Sequence, residues 1–259
     1  VKEVYATEIF TLTDTVAYKH LVPGKEYTLS GILVNKATGA AFRENGKDIT
    51  AEVVFVPETP SGSIEVQFSF DARLIKEDTD IVVFEYLFSG GKELCFHADL
   101  KDAGQTVTVK TPKIGTKATA EGKKEITTAE KVTIEDTVAY INLTPGKEYV
   151  LRGTLMDKAT GKAFQVNGES INSTVSFTPE KSNGEVKVTF TFDASGITKS
   201  TELVVFETLY RGDVDIAVHA DINSADQTVK LTPPTPDVPQ TGDNSNLGLW
   251  IGLGGVALG

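Results

Sequence analysis

A single cysteine stands among 259 residues, beside one tryptophan, one methionine and three histidines. Cys95 alone leaves no intrachain disulfide framework and no cysteine-based zinc site, so stability has to come from elsewhere. His20, His97 and His219 form no H-x-x-x-H or HExxH pattern and are too few for a histidine-rich metal centre; neither metal nor other cofactor is expected. Basic residues are also scarce. The 25 Lys+Arg against 36 Asp+Glu give a net charge of −11 with no basic cluster, which argues against nucleic acid or an anionic membrane as partner. No G-x-S-x-G elbow and no phosphate-binding glycine loop occurs, which weighs against a turnover hydrolase. No stretch carries a 3.6-residue apolar stripe, so any helix should be short.

What the chain does have is a repeat. Asp14-Thr15-Val16-Ala17-Tyr18 recurs as Asp136-Thr137-Val138-Ala139-Tyr140, Pro23-Gly24-Lys25-Glu26-Tyr27 as Pro145-Gly146-Lys147-Glu148-Tyr149, and Val82-Val83-Phe84-Glu85 as Val204-Val205-Phe206-Glu207. His97-Ala98-Asp99 and Gln105-Thr106-Val107 recur as His219-Ala220-Asp221 and Gln227-Thr228-Val229, all 122 positions apart and without a gap. That period exceeds any solenoid unit, so each copy should be a domain with its own core. Within a copy the apolar residues alternate, as in Tyr149, Leu151, Leu155 and in Val186, Val188, Phe190, Phe192. Period two, β-branched and aromatic runs, and turns such as Asn167-Gly168 predict strands. The expected fold is all-β, two tandem immunoglobulin-like β-sandwiches spanning residues 1–110 and 111–231.

Residues 232–246 read as a proline-rich stalk and motif, and residues 247–259 as an apolar run. The motif Val238-Pro239-Gln240-Thr241-Gly242, the polar spacer and the apolar run resemble the LPxTG-type sorting signal of Gram-positive surface proteins, with valine in place of leucine. The resemblance implies a sortase partner that joins Thr241 to peptidoglycan or to a pilus subunit, and an extracellular, wall-anchored protein. The apolar run falls short of the roughly 20 residues of a spanning helix and no basic tail follows, so the chain is expected to continue beyond it. Continuation is expected at the other end too. The repeat maps Val1 onto Lys123, so residues 113–119 have no counterpart in the first copy, which would lack its first strand.

Comparing the copies isolates the polar residues present in both. His20 aligns with Asn142 and drops out; Asp14/Asp136, Glu85/Glu207, His97/His219, Asp99/Asp221 and Gln105/Gln227 remain. Glu207 ends a continuous apolar run, and a buried carboxylate needs a partner or a proton. A hydrogen-bonded structural pair of His219 and Glu207 would satisfy that requirement without chemistry. The set Phe206-Glu207, His219-x-Asp221, Gln227-Thr228-Val229, Asp136-Thr137-Val138 and Pro145-Gly146-Lys147-x-Tyr149, with Pro112-x-Ile114-x-Thr116-x-Ala118, resembles the VaFE-repeat, Thr-Gln ester-bond domains of Gram-positive adhesins.

That resemblance implies a self-inflicted cross-link and no turnover enzyme. Thr116 attacks the Gln227 amide and ammonia leaves, with His219, Glu207 and Asp136 as catalytic groups; Thr119 is the alternative nucleophile. The first copy carries the equivalent Asp14, Glu85, His97 and Gln105 but no threonine strand in this stretch, so no ester is expected within residues 1–110 as given, although the intact protein should form one. Asp102 aligns with Ser224 and is left out of the shared set. The implied role is a stalk module of an adhesin or pilus-like protein. A Lys-Asn isopeptide domain is the nearest rival, although Asn223 aligns with Lys101; direct binding of an unknown host ligand is another.

Overall fold

The computed structural model describes residues 3–235. The pentapeptide at 238–242 and the apolar run after it lie outside the described residues. The first copy contains β1 (Glu3–Tyr5), β2 (Ile9–Tyr18), β3 (Tyr27–Asn35), β4 (Arg43–Glu44), β5 (Lys47–Asp48), β6 (Thr50–Phe55), β7 (Gly62–Asp71), β8 (Thr79–Ser89), β9 (Lys92–His97) and β10 (Thr106–Lys110). The second contains β11 (Lys113–Ala120), β12 (Glu125–Thr127), β13 (Val132–Ile141), β14 (Tyr149–Asp157), β15 (Lys162–Ala163), β16 (Gln165–Val166), β17 (Glu169–Ser170), β18 (Asn172–Phe177), β19 (Gly184–Phe192), β20 (Thr201–Arg211), β21 (Val214–His219) and β22 (Thr228–Thr232). A single 3₁₀ turn, Ala72–Leu74, is the only helical element among the described residues.

Each copy is an immunoglobulin-like sandwich. In the second, a three-stranded sheet β11-β13-β19 faces a larger sheet β12-β22-β20-β14, widened by β15, β18 and β21. The first repeats this with β2-β7 facing β1-β10-β8-β3-β6 and β9 beside β8. The alternation seen in the sequence becomes the two faces of each strand: Val132, Ile134, Val138 and Tyr140 of β13 point inward against Val188, Phe190 and Phe192 of β19. Leu203, Val205 and Leu209 of β20 close the core from the other sheet.

Two repeated blocks serve this architecture. The Pro-Gly-Lys-Glu-Tyr block is a turn with Gly24 and Gly146 at φ 76° and 74°, a region that glycine enters without strain. Its tyrosine hydroxyl then accepts the Val22 N–H or the Thr144 N–H at 2.9 Å, pinning the loop to the sheet. Asn45-Gly46 and Asn167-Gly168 have positive φ at both positions and close the β4–β5 and β16–β17 hairpins.

The copies meet at a polar joint. Thr7 and Thr144 share a hydroxyl hydrogen bond of 2.6 Å, Lys147 pairs with Glu8 at 3.0 Å, and Arg73, held by Asp71, donates to the Arg211 carbonyl at 3.2 Å. The Thr7 hydroxyl is thereby engaged across the joint.

Candidate functional site

The second copy's candidate residues arrive from both sheets. Alternation along β20 turns Leu203, Val205, Glu207 and Leu209 into the core together, so Glu207, 1% exposed, lies among apolar side chains. Across the sandwich, Asp136 shares the inward face of β13 with Ile134 and Val138 and is fully buried. β11 runs antiparallel to β13 with Thr116 opposite Val138 and Ala118 opposite Asp136, which turns Thr116, Ala118 and Ala120 inward. Thr119 lies on the other face, opposite Glu135, so the structure separates the two threonines. His219 ends β21 opposite Glu207 and is half-buried.

Gln227 sits immediately before β22, fully buried. Its backbone carbonyl accepts the Val205 N–H at 3.1 Å, and the Thr228 hydroxyl donates to the Ser224 backbone carbonyl at 2.6 Å, so a tight loop fixes its direction. Asp221 belongs to this loop and not to the reacting set: its carboxylate accepts the Asn223 N–H at 2.9 Å in an Asx turn, as Asp99 does for Lys101.

The enclosed polar atoms are few and largely unpaired. Thr116 Oγ1, both carboxyl oxygens of Asp136 and of Glu207, and both amide atoms of Gln227 are buried without a closed hydrogen bond. Asp136 nevertheless lies close enough to Glu207 and Thr116 to interact with both. Desolvation by burial, then the Asp136 charge and a hydrogen bond with it, push the Glu207 carboxyl up to about 9. Burial also raises Asp136, opposed by Glu207, Thr116 and His219. Two carboxyls in one dry site cannot both ionise, so a proton is retained between them and Glu207 holds it.

The first copy presents the same set opened to solvent. Glu85 is buried and pushed up to about 9 by burial, by its hydrogen bond with Asp14 and by the charges of Asp14 and Asp102. Asp14 and Gln105 are half-buried, and His97 is exposed with its Nε2 3.0 Å from Asp102. Cys95 is exposed on β9. Among the described residues no group of His, Cys, Asp and Glu could hold a metal ion.

A family model for the T-Q ester bond containing domain matches residues 1–109 and again residues 112–231. The chain belongs to this family. Among solved structures, it is similar to a bacterial adhesin from Mobiluncus mulieris containing intramolecular disulfide, isopeptide and ester bond cross-links. That match has 20% identity and a TM-score of 0.42, and covers 48% of this chain and 58% of that one. It is also similar to a glycosyl hydrolase family 2 member from Bacteroides cellulosilyticus, at 11% identity and a TM-score of 0.32, covering 88% of this chain and 29% of that one. No curated protein matches the sequence.

Each T-Q domain also holds groups that sequence comparison did not single out. In the second, the Asp226 carbonyl accepts the Ala118 N–H at 2.9 Å and the Lys124 ammonium, which also reaches the Ala225 carbonyl at 3.3 Å. This bracket ties the strand of Thr116 to the residue before Gln227. Lys124 carried no signal in the sequence, because its counterpart Lys2 is one of many lysines. Gly31 and Gly153 are the other pair, directly opposite Glu85 and Glu207. A Cβ at Gly153 would stand 2.5 Å from Phe190 Cζ, and one at Gly31 the same distance from Phe68 Cζ. The missing Cβ lets a phenyl ring close over the strand next to each acid, and the repetition of this glycine in both copies was the available signal.

Proposed function

We propose that this chain is a structural stalk module of a wall-anchored adhesin or pilus-like surface protein, stabilised by an autocatalytic ester between Thr116 and Gln227. The observation that carries this reading is the enclosure of a threonine hydroxyl and a glutamine carboxamide, from the first and last strand regions, beside two carboxyls in a dry core.

A threonine hydroxyl is a weak nucleophile and a carboxamide a poor acyl donor, so positioning and proton transfer must supply the rate. The Thr116 oxygen adds to Gln227 Cδ while its proton passes to the His219 imidazole, whose charge Asp136 stabilises. Protonated Glu207 donates toward the developing oxyanion or back to Asp136, acting as an acid only because burial keeps its proton at neutral pH. Collapse of the adduct breaks the C–N bond, His219 returns the proton to the leaving nitrogen, and ammonia departs. No cofactor enters this balance, and the domain turns over once. Exclusion of water then protects the ester from hydrolysis.

Wall attachment rests on the ordered series of Val238-Pro239-Gln240-Thr241-Gly242, spacer and apolar run. In this reading a sortase cleaves after Thr241 and passes its carbonyl to peptidoglycan or to a pilus subunit, leaving both T-Q domains outside the cell. The test is the intact mass of the chain under denaturing conditions. A deficit of one ammonia that Thr116→Ala abolishes supports the ester; equal measured and sequence masses in the parent refute it.

A further inference from the structure

The segment that carries Thr116 also reaches the strand that begins just after Gln227. β11 ends in a two-residue turn, in which Ala120 and Lys123 exchange backbone hydrogen bonds of 2.8 Å around Glu121 and Gly122, both at positive φ. β12 then joins the opposite sheet, parallel to β22 with Glu125 opposite Lys230. Lys124 stands at this crossing. Its backbone carbonyl accepts the Lys230 N–H at 2.8 Å, while its ammonium donates back to the Asp226 carbonyl and, at 3.3 Å, to the Ala225 carbonyl. One residue therefore holds the main chain on both sides of Gln227, at 225–226 and at 230.

Neither carbonyl depends on the lysine for a partner. The Ala225 carbonyl accepts the Thr228 N–H at 3.2 Å, and the Asp226 carbonyl accepts the N–H of Ala118, two residues after Thr116, at 2.9 Å. Those bonds already meet the structural need of the loop, and a long side chain loses rotamer freedom when its ammonium is fixed. What the ammonium adds is a charge-assisted pull of residues 225–226 toward β11. Its surroundings mark it as more than a surface charge. Partial burial lowers its pKa, the Asp226 charge opposes that, Lys117 reinforces it and Asp136 opposes it. The attraction to Asp136 acts both ways, so the ammonium favours the ionised form of Asp136 on which proton transfer through His219 relies.

We propose that Lys124 is a positioning residue for ester formation, holding the backbone before Gln227 against the strand of Thr116 so that the carboxamide carbon and the hydroxyl oxygen stay aligned until they react. It makes no hydrogen bond to either reacting group and carries no proton in the step. The bond that forms is still Thr116 Oγ1 to Gln227 Cδ, the bond that breaks is the amide C–N, and ammonia leaves with the proton relayed by His219. Once made, the ester ties the same two segments covalently, and the lysine's task is complete. Its effect therefore falls on the rate of cross-linking and not on the product. This inference rests on the ester reading of the second domain.

The test takes the full chain as an uncross-linked precursor in denaturant, dilutes it to start folding, quenches samples in acid and reads the fraction lighter by one ammonia. Lys124→Met keeps the stem but cannot donate. It should form the ester roughly tenfold more slowly, the effect of losing about one hydrogen bond to a charged group, and should reach the same final mass. Lys124→Arg keeps the charge and the donors and should recover most of the rate. Both substitutions are repeated with Thr116→Ala, where no ester forms and the urea midpoint reports folding alone; the midpoints should match that of Thr116→Ala itself. A Met chain as fast as the parent overturns the proposal, as does an Arg chain as slow as the Met chain. So does a Met midpoint low enough to leave the domain partly unfolded in the refolding buffer, because the lysine would then act through stability. A parent that never shows the deficit overturns the ester reading, and the positioning role falls with it.

Discussion

Removing one hydroxyl should cost the second domain more stability than any cavity of that size explains. Thr116→Ala deletes an atom group that makes no closed hydrogen bond, so its direct packing loss is small, under about 1 kcal/mol. The proposed cross-link is another matter, because it would close a loop of 111 residues from 116 to 227. By the chain-entropy relation developed for disulfides, such a loop raises stability by about 5 kcal/mol. An unfolding entropy of roughly 2.1 cal/mol/K per residue over a domain of about 120 residues turns this into a fall in Tm on the order of 20 °C. Calorimetry of the full chain gives the first domain as an internal reference, since its transition should stay in place. Thr116→Ser keeps the hydroxyl and should retain both the ammonia deficit and the high-temperature transition. The argument fails if Thr116→Ala loses the cross-link by mass yet melts within a few degrees of the parent.

The buried acid gives a pH dependence of definite sign. With Thr116→Ala preventing the ester, Glu207 stays protonated in the fold to about 9 but ionises near 4.5 when unfolded. The fold binds the extra proton across that window, so stability should fall as pH rises from about 4.5 to 9, by up to about 1.4 kcal/mol per unit. Urea titrations of T116A and of T116A with Glu207→Gln check this; equal slopes would remove the assignment. Gly153→Ala should cost about 1–3 kcal/mol by driving a Cβ into Phe190, read as a lower denaturation midpoint in the T116A background. Lys124→Met should slow ester formation after refolding while leaving the final mass deficit unchanged, and Lys124→Arg should restore much of the rate. In single-molecule pulling the parent's second domain should release almost no chain, whereas T116A should release a length near 3.4 Å for each of about 120 residues.

The two sandwiches were legible because the signal is redundant. Period-two alternation, Asn-Gly turns and an ungapped repeat each point to the same strands, and a wrong reading would have to break all of them. Glu207 was legible as a buried acid because it ends an apolar run on a strand whose face is set by its neighbours. The placement of Asp136 against it was not, because that contact crosses between sheets and depends on the register of β13 with both β11 and β19. The choice between Thr116 and Thr119 likewise turned on register: pairing Ala118 with Asp136 puts every even-numbered residue of β11 inward. Asp99 and Asp221 carry a different lesson. They recur as faithfully as the acids, yet they shape the loop that aims Gln105 and Gln227. Recurrence alone does not separate a reacting group from a turn former.

The alternative of a structural pair with no chemistry can be judged by what the polar atoms cost. A buried ionisable pair that serves only packing is retained at a loss unless its lone pairs and protons are satisfied, since apolar replacements of similar volume are commonly as stable or more so. Here the satisfaction is partial, since Glu207 and Asp136 face only each other and Thr116. Glu85 in the first copy and Glu207, Asp136, Gln227 and Thr116 in the second all bury polar atoms without a closed hydrogen bond. The neighbouring glycines forgo a side chain so that a phenyl ring can exclude water from the acids. A fold shaped only for stability would fill that space with apolar side chains at no cost in topology. The arrangement becomes intelligible if the penalty is borne by the precursor alone. An ester between Thr116 and Gln227 removes one hydroxyl donor and one amide from the site and turns the dry core from a liability into the protection of the bond. Ammonia, once released into solvent, is too dilute to reverse the step. Stability that a chain with one cysteine cannot obtain from disulfides is then held by a bond whose own site supplies the catalysts.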